Sequence, residues 1–282
     1  MTHAPTTTAP AGTIETRDAW NDIAPGYDRF VTPTHFWLGN EALRRVQLKA
    51  GMRFLDVAAG SGALSIPAAR LGARVLATDL SSIMLDRLAS RARGEGLDME
   101  TRVMDGHALD LDDESFDVAG SQFGVMLFPD LPRGLRELAR VTKRGGRVLL
   151  VAYGAPERID FLRVFIGAVH AVVPDFTGLP DDPPPLPFQV ADPEKLRREL
   201  AAAGLSDVSV ETIIETLEFS SGVQLYDWVT NSNPVGRMLV ADLSEPQRAD
   251  VRRVLDDMLR ERTGEGGRAK LTNPINIGIG VR

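Results

Sequence analysis

The stretch Phe54-Leu-Asp-Val-Ala-Ala-Gly-Ser-Gly-Ala63 decides the fold: an apolar run closed by an acid and followed by two glycines. Phe54 to Val57 has the length and composition of a buried strand. Gly60 and Gly62 let backbone N–H groups come close to a ligand where a Cβ would collide. A helix is expected to start directly afterwards, its N-terminal dipole and free N–H groups favouring a carboxylate or phosphate in the turn. Seventeen residues after Gly62, Asp79 ends a second apolar run, Ala73 to Thr78. A carboxylate in that place can accept hydrogen bonds from both hydroxyls of a ribose. The pattern describes a cradle for a nucleoside derivative.

A dinucleotide fingerprint, G-x-G-x-x-G, is not satisfied, because its last position falls on Ser65 counted from Gly60 and on Ala63 counted from Ala58. What stands here instead is Asp56-x-Ala58-x-Gly60-x-Gly62. It resembles motif I of the class I S-adenosylmethionine-dependent methyltransferases, D/E-x-G-x-G-x-G, with Ala58 in place of the first glycine. Alanine serves there if its φ stays negative. The resemblance continues in order along the chain. Leu80 follows Asp79, and a helix with Ser81 or Ser82 as N-cap carries Met84 and Leu88 on one face. Met99 to Asp105 reads as a third strand, Ser115-Phe-Asp117 leads into a fourth through Gln122, and Leu135 to Leu150 reads as a helix, a glycine turn and a fifth strand.

The resemblance covers residues 15 to 214 well and implies a Rossmann-like, mostly parallel seven-stranded sheet with helices on both faces, the last strand antiparallel, and a helical cap. It implies S-adenosyl-L-methionine as cofactor, held by Asp56, Ala58, Gly60 and Gly62 in the glycine loop and by Asp79 at the ribose. Leu80 would lie against the adenine, whose edge Asp105, Gly106 and His107 would read, with Gln122 at the fourth strand end and Tyr27 over the methionine end. Trp20-Asn-Asp-Ile-Ala-Pro-Gly-Tyr-Asp28 resembles the entry segment of the ubiquinone- and menaquinone-biosynthesis branch.

Bulk composition narrows the partners. The chain has 282 residues, 43% of them hydrophobic and 25% charged, enough for a substantial core. A net charge of −7 supplies no basic face for nucleic acid. There is no cysteine, hence no disulfide, thiolate nucleophile or thiol metal site, and no metal site is expected. No apolar run reaches membrane-spanning length, and residues 1–13 read as a disordered tail rather than a signal peptide, so a cytoplasmic location is expected. A small-molecule acceptor is the expected partner, and a homodimer is left open.

Residues 14–50 are expected to form a helical cap, one segment around Trp20, Ile23 and Tyr27 and another through Leu43, Val46 and Leu48. The methyltransferase domain then occupies 51–282, with lid insertions at about 156–190 and 215–272. Phe161 to Val173 reads as a helix, Pro174 to Pro187 as a loop near the cleft mouth, Asp192 to Ala203 as a helix ended by Gly204, and Val208 to Ile213 as the sixth strand. Helices are expected over Val223–Thr230 and Glu245–Arg262, and the seventh strand over Ile275–Val281.

Methyl transfer from a sulfonium is an in-line displacement in which alignment and exclusion of water do most of the work, so no acid, base or metal signature is obligatory. Of the four histidines, His35 in Thr34-His-Phe-Trp37 is the best-placed catalytic candidate, its plainer reading being a solvated or capping residue. Phe36, Trp37, Phe123 and Phe128 suggest an apolar or aromatic acceptor site. The reading is methyl transfer to an O, N or C atom of a small, fairly apolar metabolite, a quinone precursor or specialised metabolite. Its rivals are a nicotinamide-dependent oxidoreductase, which would need a hydride-site signature this chain lacks, and a cofactor-binding module that transfers nothing.

Overall fold

In the computed structural model, which describes residues 16–179, 184–263 and 267–282, seven strands form one sheet in the order β3-β2-β1-β4-β5-β7-β6. The tail assigned to residues 1–13 and part of the proline-rich segment, 180–183, lie outside the described residues. The strands are β1 (Arg53–Val57), β2 (Arg74–Asp79), β3 (Glu100–Val103), β4 (Phe116–Gln122), β5 (Thr142–Tyr153), β6 (Ser206–Phe219) and β7 (Ala269–Val281). β1 to β5 pair in parallel, and β7 runs antiparallel between β5 and β6. The central strands are continuous apolar runs because they are covered on both faces, Phe54, Leu55, Ala119, Leu149 and Leu150 being fully buried.

The helices are α1 (Arg17–Gly26), α2 (Phe36–Arg45), α3 (Ser65–Arg70), α4 (Ser82–Gly94), α5 (Leu131–Val141), α6 (Asp160–Val172), α7 (Pro193–Ala202), α8 (Gly222–Ser232), α9 (Pro234–Met238) and α10 (Glu245–Arg260). Their starts follow local chemistry. Ser81 accepts from the Met84 N–H to open α4, Asp130 from Arg133 to open α5, and Ser244 with Gln247 forms a capping box on α10. After α7 the chain reverses at Gly204 with φ +90°.

Three expectations need correction. The helix after the glycine pair is delayed to Ser65 and is only six residues long, because residues 59–64 form a hydrogen-bonded turn first, with the Gly62 N–H donating to the Ala59 carbonyl at 3.1 Å. Its dipole is correspondingly slight. The sixth strand does not stop at Ile213 but continues to Phe219 against β7, so the second insertion begins after Phe219 rather than at 215, and it holds α8, α9 and α10. In the cap, α2 ends at Arg45, leaving Val46 and Leu48 outside it although both are buried. Among the described residues no helix is long and apolar enough to cross a membrane.

The cap is fastened over the carboxyl ends of the strands. A π-helical turn (Tyr27–Val31) and a 3-10 turn (Thr32–His35) join α1 to α2. The Thr32 and Ser61 hydroxyls lie 2.5 Å apart, the Ser81 hydroxyl donates to Asn21 at 2.6 Å, and Asp28 pairs with Arg91 of α4. The cap thereby holds both the glycine loop and the start of α4.

Candidate functional site

Beneath this cap lies a cleft at the carboxyl ends of β1, β2 and β4. A larger and shallower hollow of about 2100 Å³ lies beside the amino-terminal ends of β1 and β2 and is bordered by Arg53, Arg74 and Glu100. Open α/β sheets take their ligands at the carboxyl ends. Of the residues expected to hold a cofactor, Tyr27, Ala58, Gly60, Asp79, Leu80, Gly106, His107 and Gln122 line the cleft, as do Phe123 and Phe128. Asp56, Gly62, Asp105, His35, Phe36 and Trp37 are not among its lining residues.

Among the described residues, Asp79 is the only acid on the wall. Its two oxygens accept from the Gly60 and Ser81 backbone N–H groups, each at 2.8 Å. Burial raises its pKa, against the hydrogen bonds from Ser81, Gly60 and Leu80. The Gly60 N–H is thus directed at Asp79, and the glycine loop offers fewer free donors than a bare helix start would.

Ala58 overturns the expectation of a negative φ: it sits at +54°. The chain must reverse there for the Ala59 N–H to reach the Thr78 carbonyl at 2.9 Å, and the strain is of order 1–2 kcal/mol for a residue with a Cβ. Gly62, at φ +101°, answers to packing instead, since a Cβ there would stand 2.3 Å from Leu88 Cδ1 of α4. Asp56 lies under the loop, buried, and accepts the Ser65 hydroxyl at 2.5 Å. Burial pushes its pKa up to about 7, opposed by Ser65 and assisted by Asp79. Asp56 therefore supports the turn from below, because its side chain enters the sheet-to-helix layer and not the cleft.

On the β3 side, Asp105 is half exposed and turned to its own loop, accepting from the His107 N–H at 2.9 Å and meeting His107 Nδ1 at 2.8 Å. Burial opposes the shift, but these His107 hydrogen bonds hold its carboxyl below the usual range. They set the His107 ring on Phe128, centroids 4.4 Å apart, and Gly106 must lack a Cβ because one would strike the Phe128 ring at 2.5 Å. The three carboxylates 56, 79 and 105 therefore surround the loop system without all facing one hollow. On the opposite wall, Trp20 and Tyr27 meet edge to face at 6.2 Å, and burial, with Asp79 and Asp56 nearby, drives the Tyr27 hydroxyl pKa upward.

The acceptor-side residues are redistributed. Phe36 packs beneath the Arg70 and Arg91 guanidiniums, and Trp37 is 53% exposed on the outer side of α2. Phe123, at the end of β4, holds φ +60°, which is uncommon for a bulky side chain. It lines the cleft, stacks on Tyr153 at 4.5 Å and meets the His35 ring at a tilt with centroids 5.0 Å apart. His35 is not solvated, and although it stands at the N-cap position of α2 its side chain makes no capping hydrogen bond: it is 2% exposed, and its Nε2 lies 3.6 Å from Glu215 Oε1, which is equally buried.

Glu215 and Asn273, its direct partner across the β6–β7 ladder, escaped the reading of the sequence. The signal was present as a polar residue breaking an alternating inward series, Glu215-x-Leu217-x-Phe219, faced by Leu271-x-Asn273-x-Ile275. Trp20 and Met104, which also line the cleft, were missed because apolar residues on a cap and at a strand end carry no distinguishing pattern.

The cleft can hold a nucleoside: one carboxylate for a diol, an apolar shelf at Leu80, and an aromatic wall at His107 and Phe128 behind a glycine whose Cβ position is filled. Comparisons with known proteins agree. A family model described as a methyltransferase domain matches residues 55–150. An uncharacterised protein of Mycobacterium tuberculosis is 42% identical over 103 residues, a match that spans 36% of this chain and only 38% of that relative. The demethylmenaquinone methyltransferase of Corynebacterium efficiens is 30% identical over 201 residues, which covers 67% of this chain and 84% of the relative. Among solved structures, Haemonchus contortus phosphoethanolamine N-methyltransferase 2 in complex with S-adenosyl-L-methionine shares the fold, with a TM-score of 0.53 and 19% identity over 87% of this chain and 52% of that one.

Proposed function

Because the chain belongs to the class I S-adenosylmethionine-dependent methyltransferases, we propose that it transfers a methyl group from S-adenosylmethionine to a small, fairly apolar metabolite of the quinone-precursor kind. The carrying observation is Asp79, the single acid among the described residues on the wall of a cleft at the strand carboxyl ends, set beside Leu80. In this reading Asp79 accepts from the ribose hydroxyls, and Leu80 and the His107–Phe128 stack enclose the adenine. The backbone of Gly106 and His107 reads the adenine edge, and Tyr27 and Trp20 close over the methionine end. S-adenosylmethionine is consumed stoichiometrically and is a co-substrate, its sulfonium supplying the methyl group.

The protein's own contribution is alignment and dryness. The cap, fastened through Thr32–Ser61 and Asn21–Ser81, closes one side of the cleft, and the apolar side chains of Trp20, Met84, Met104 and Leu127 exclude water from the path between donor and acceptor. The demethylmenaquinone methyltransferase relative supports an acceptor with an apolar ring system. Titration calorimetry tests the reading. S-adenosylmethionine and S-adenosylhomocysteine should bind with one site per chain while nicotinamide dinucleotides give no heat; binding of the nicotinamide cofactor alone would replace this reading with an oxidoreductase.

A further inference from the structure

Behind Phe123 the protein buries three polar side chains that its own packing does not satisfy. Among the described residues, neither ring nitrogen of His35, neither carboxylate oxygen of Glu215 and neither amide atom of Asn273 makes a hydrogen bond of ordinary geometry, His35 Nε2 standing 3.6 Å from Glu215 Oε1, and all three residues are at most 2% exposed. Buried polar groups left this way destabilise a fold. Replacing Glu215 and Asn273 by apolar residues would simply continue the inward-facing series of β6 and β7. An arrangement that costs stability and is not needed by the fold points to a ligand.

The surroundings define that ligand. Aromatic rings enclose the trio: His35 packs on Phe123 at 5.0 Å and on Trp228 at 5.8 Å, Trp228 meets Phe161 at 4.9 Å, and Phe123 stacks on Tyr153. Trp228 is itself fixed by donating Nε1–H to Thr34 at 3.1 Å. Burial drives Glu215 towards its protonated form and His35 towards its neutral form, so the trio carries no net charge near neutrality. A phosphate, carboxylate or ammonium would enter such a place at a large desolvation cost, whereas a hydroxyl can both donate and accept there. The trio adjoins the cleft through Phe123 and through Gln122, which lines the cleft, donates Nε2–H to the His35 carbonyl at 3.3 Å and leaves its own Oε1 unpartnered.

Resting on the methyl-transfer reading above, we propose that the acceptor is a phenol or enol whose hydroxyl is received by His35, Glu215 and Asn273 behind Phe123, and that His35 takes the hydroxyl proton as the oxygen is methylated. The O–H bond breaks and its proton goes to the imidazole. An oxygen lone pair forms the new C–O bond, and the S–CH3 bond breaks with its electron pair returning to sulfur. The positive charge leaves the sulfonium and arrives on the imidazolium, so the net charge of the buried site is unchanged. Glu215 faces that imidazolium at 3.6 Å and Asn273 holds the acceptor oxygen. The strained backbone at Phe123 fixes the ring that lines the cleft and packs on His35.

The test uses the full chain saturated with S-adenosylhomocysteine and pairs of probes differing only in the hydroxyl, such as 1-naphthol against 1-methoxynaphthalene and 4-propylphenol against 4-propylanisole. A site built to bond a hydroxyl should bind at least one phenol about 10-fold or more tighter than its ether. Glu215→Leu and His35→Phe should each reduce that preference to about 3-fold or less while binding S-adenosylhomocysteine as the wild type does. For any phenol turned over, His35→Phe should lower kcat by about 100-fold or more, and the methyl group should be found on oxygen. No phenol preferred over its ether, an unchanged preference in both variants, or a product methylated on carbon or nitrogen would overturn the proposal. Failure of S-adenosylhomocysteine to bind the wild type would remove the underlying reading and this proposal with it. Its binding without hydroxyl preference would remove this proposal alone.

Discussion

Replacing Glu215 by glutamine should change how stability depends on pH, in a window that the buried pair itself defines. In the folded protein burial pushes the Glu215 carboxyl from 4.5 up to about 8, opposed by the neighbouring Asn273 side chain. Between those values the folded chain binds more protons than the unfolded chain, so stability falls as pH rises, and the loss is complete above about 8. Burial depresses His35 from 6.5 to about 4, which has the opposite sign: the unfolded chain binds more protons there, and stability rises with pH up to 6.5. Below 6.5 the two slopes oppose one another, and above it only Glu215 contributes. At about 1.4 kcal/mol per pH unit, the interval from 6.5 to about 8 is worth roughly 2 kcal/mol. Tyr153 of β5, which also faces Glu215, is driven upward and stays protonated throughout. Asp56 titrates in the same range but is common to both proteins and cancels in the difference. Urea unfolding of wild type and Glu215→Gln at pH 6.5 and 8.5 should therefore show the variant gaining about 2 kcal/mol on the wild type between the two. A difference that stays constant within about 0.5 kcal/mol would mean that Glu215 is already ionised at pH 6.5. It would then be held as a carboxylate by an imidazolium, and the neutral trio would not exist.

Two further outcomes follow from the loop geometry. Asp79→Ala should weaken S-adenosylhomocysteine binding by about 1–3 kcal/mol, through lost ribose hydrogen bonds and the unpaired Gly60 and Ser81 N–H groups, and calorimetry showing unchanged affinity would refute the ribose assignment. Gly62→Ala should lower unfolding stability by about 2–4 kcal/mol, since its Cβ meets Leu88 Cδ1 at a strained φ, whereas Ala58→Gly should be neutral or stabilise by up to about 1 kcal/mol. Thermal and urea denaturation would distinguish the two, and equal losses at both positions would show that the loop is not strained at Ala58.

The parallel half of the sheet was legible because strand composition, helix caps and glycine turns are local. Phe54–Val57, Ala73–Asp79 and the Ser81 cap are set by neighbours a few residues apart, and each appears within a residue or so of its expected place. Much of the cleft lining was legible for the same reason, since its residues follow strand ends in chain order. Positions that depend on what lies above or beneath a loop were not. Asp56 and Gly62 belong to the glycine motif yet answer to Ser65 and Leu88, and Ala58 adopts a positive φ that only the return to Thr78 imposes.

The amino-acid sequence by itself determined the order of strands and helices, the glycine loop at the carboxyl ends and the acid at position 79, all of which arise from periodicity and turn chemistry within single βαβ units. Only the tertiary structure decided the inner polar trio. His35, Glu215 and Asn273 lie 180 and 58 residues apart along the chain, and the antiparallel pairing of β6 with β7 under the cap brings them together. A side chain's protonation and its unmet hydrogen bonds depend on what surrounds it in space, and pairing of that range leaves no local trace.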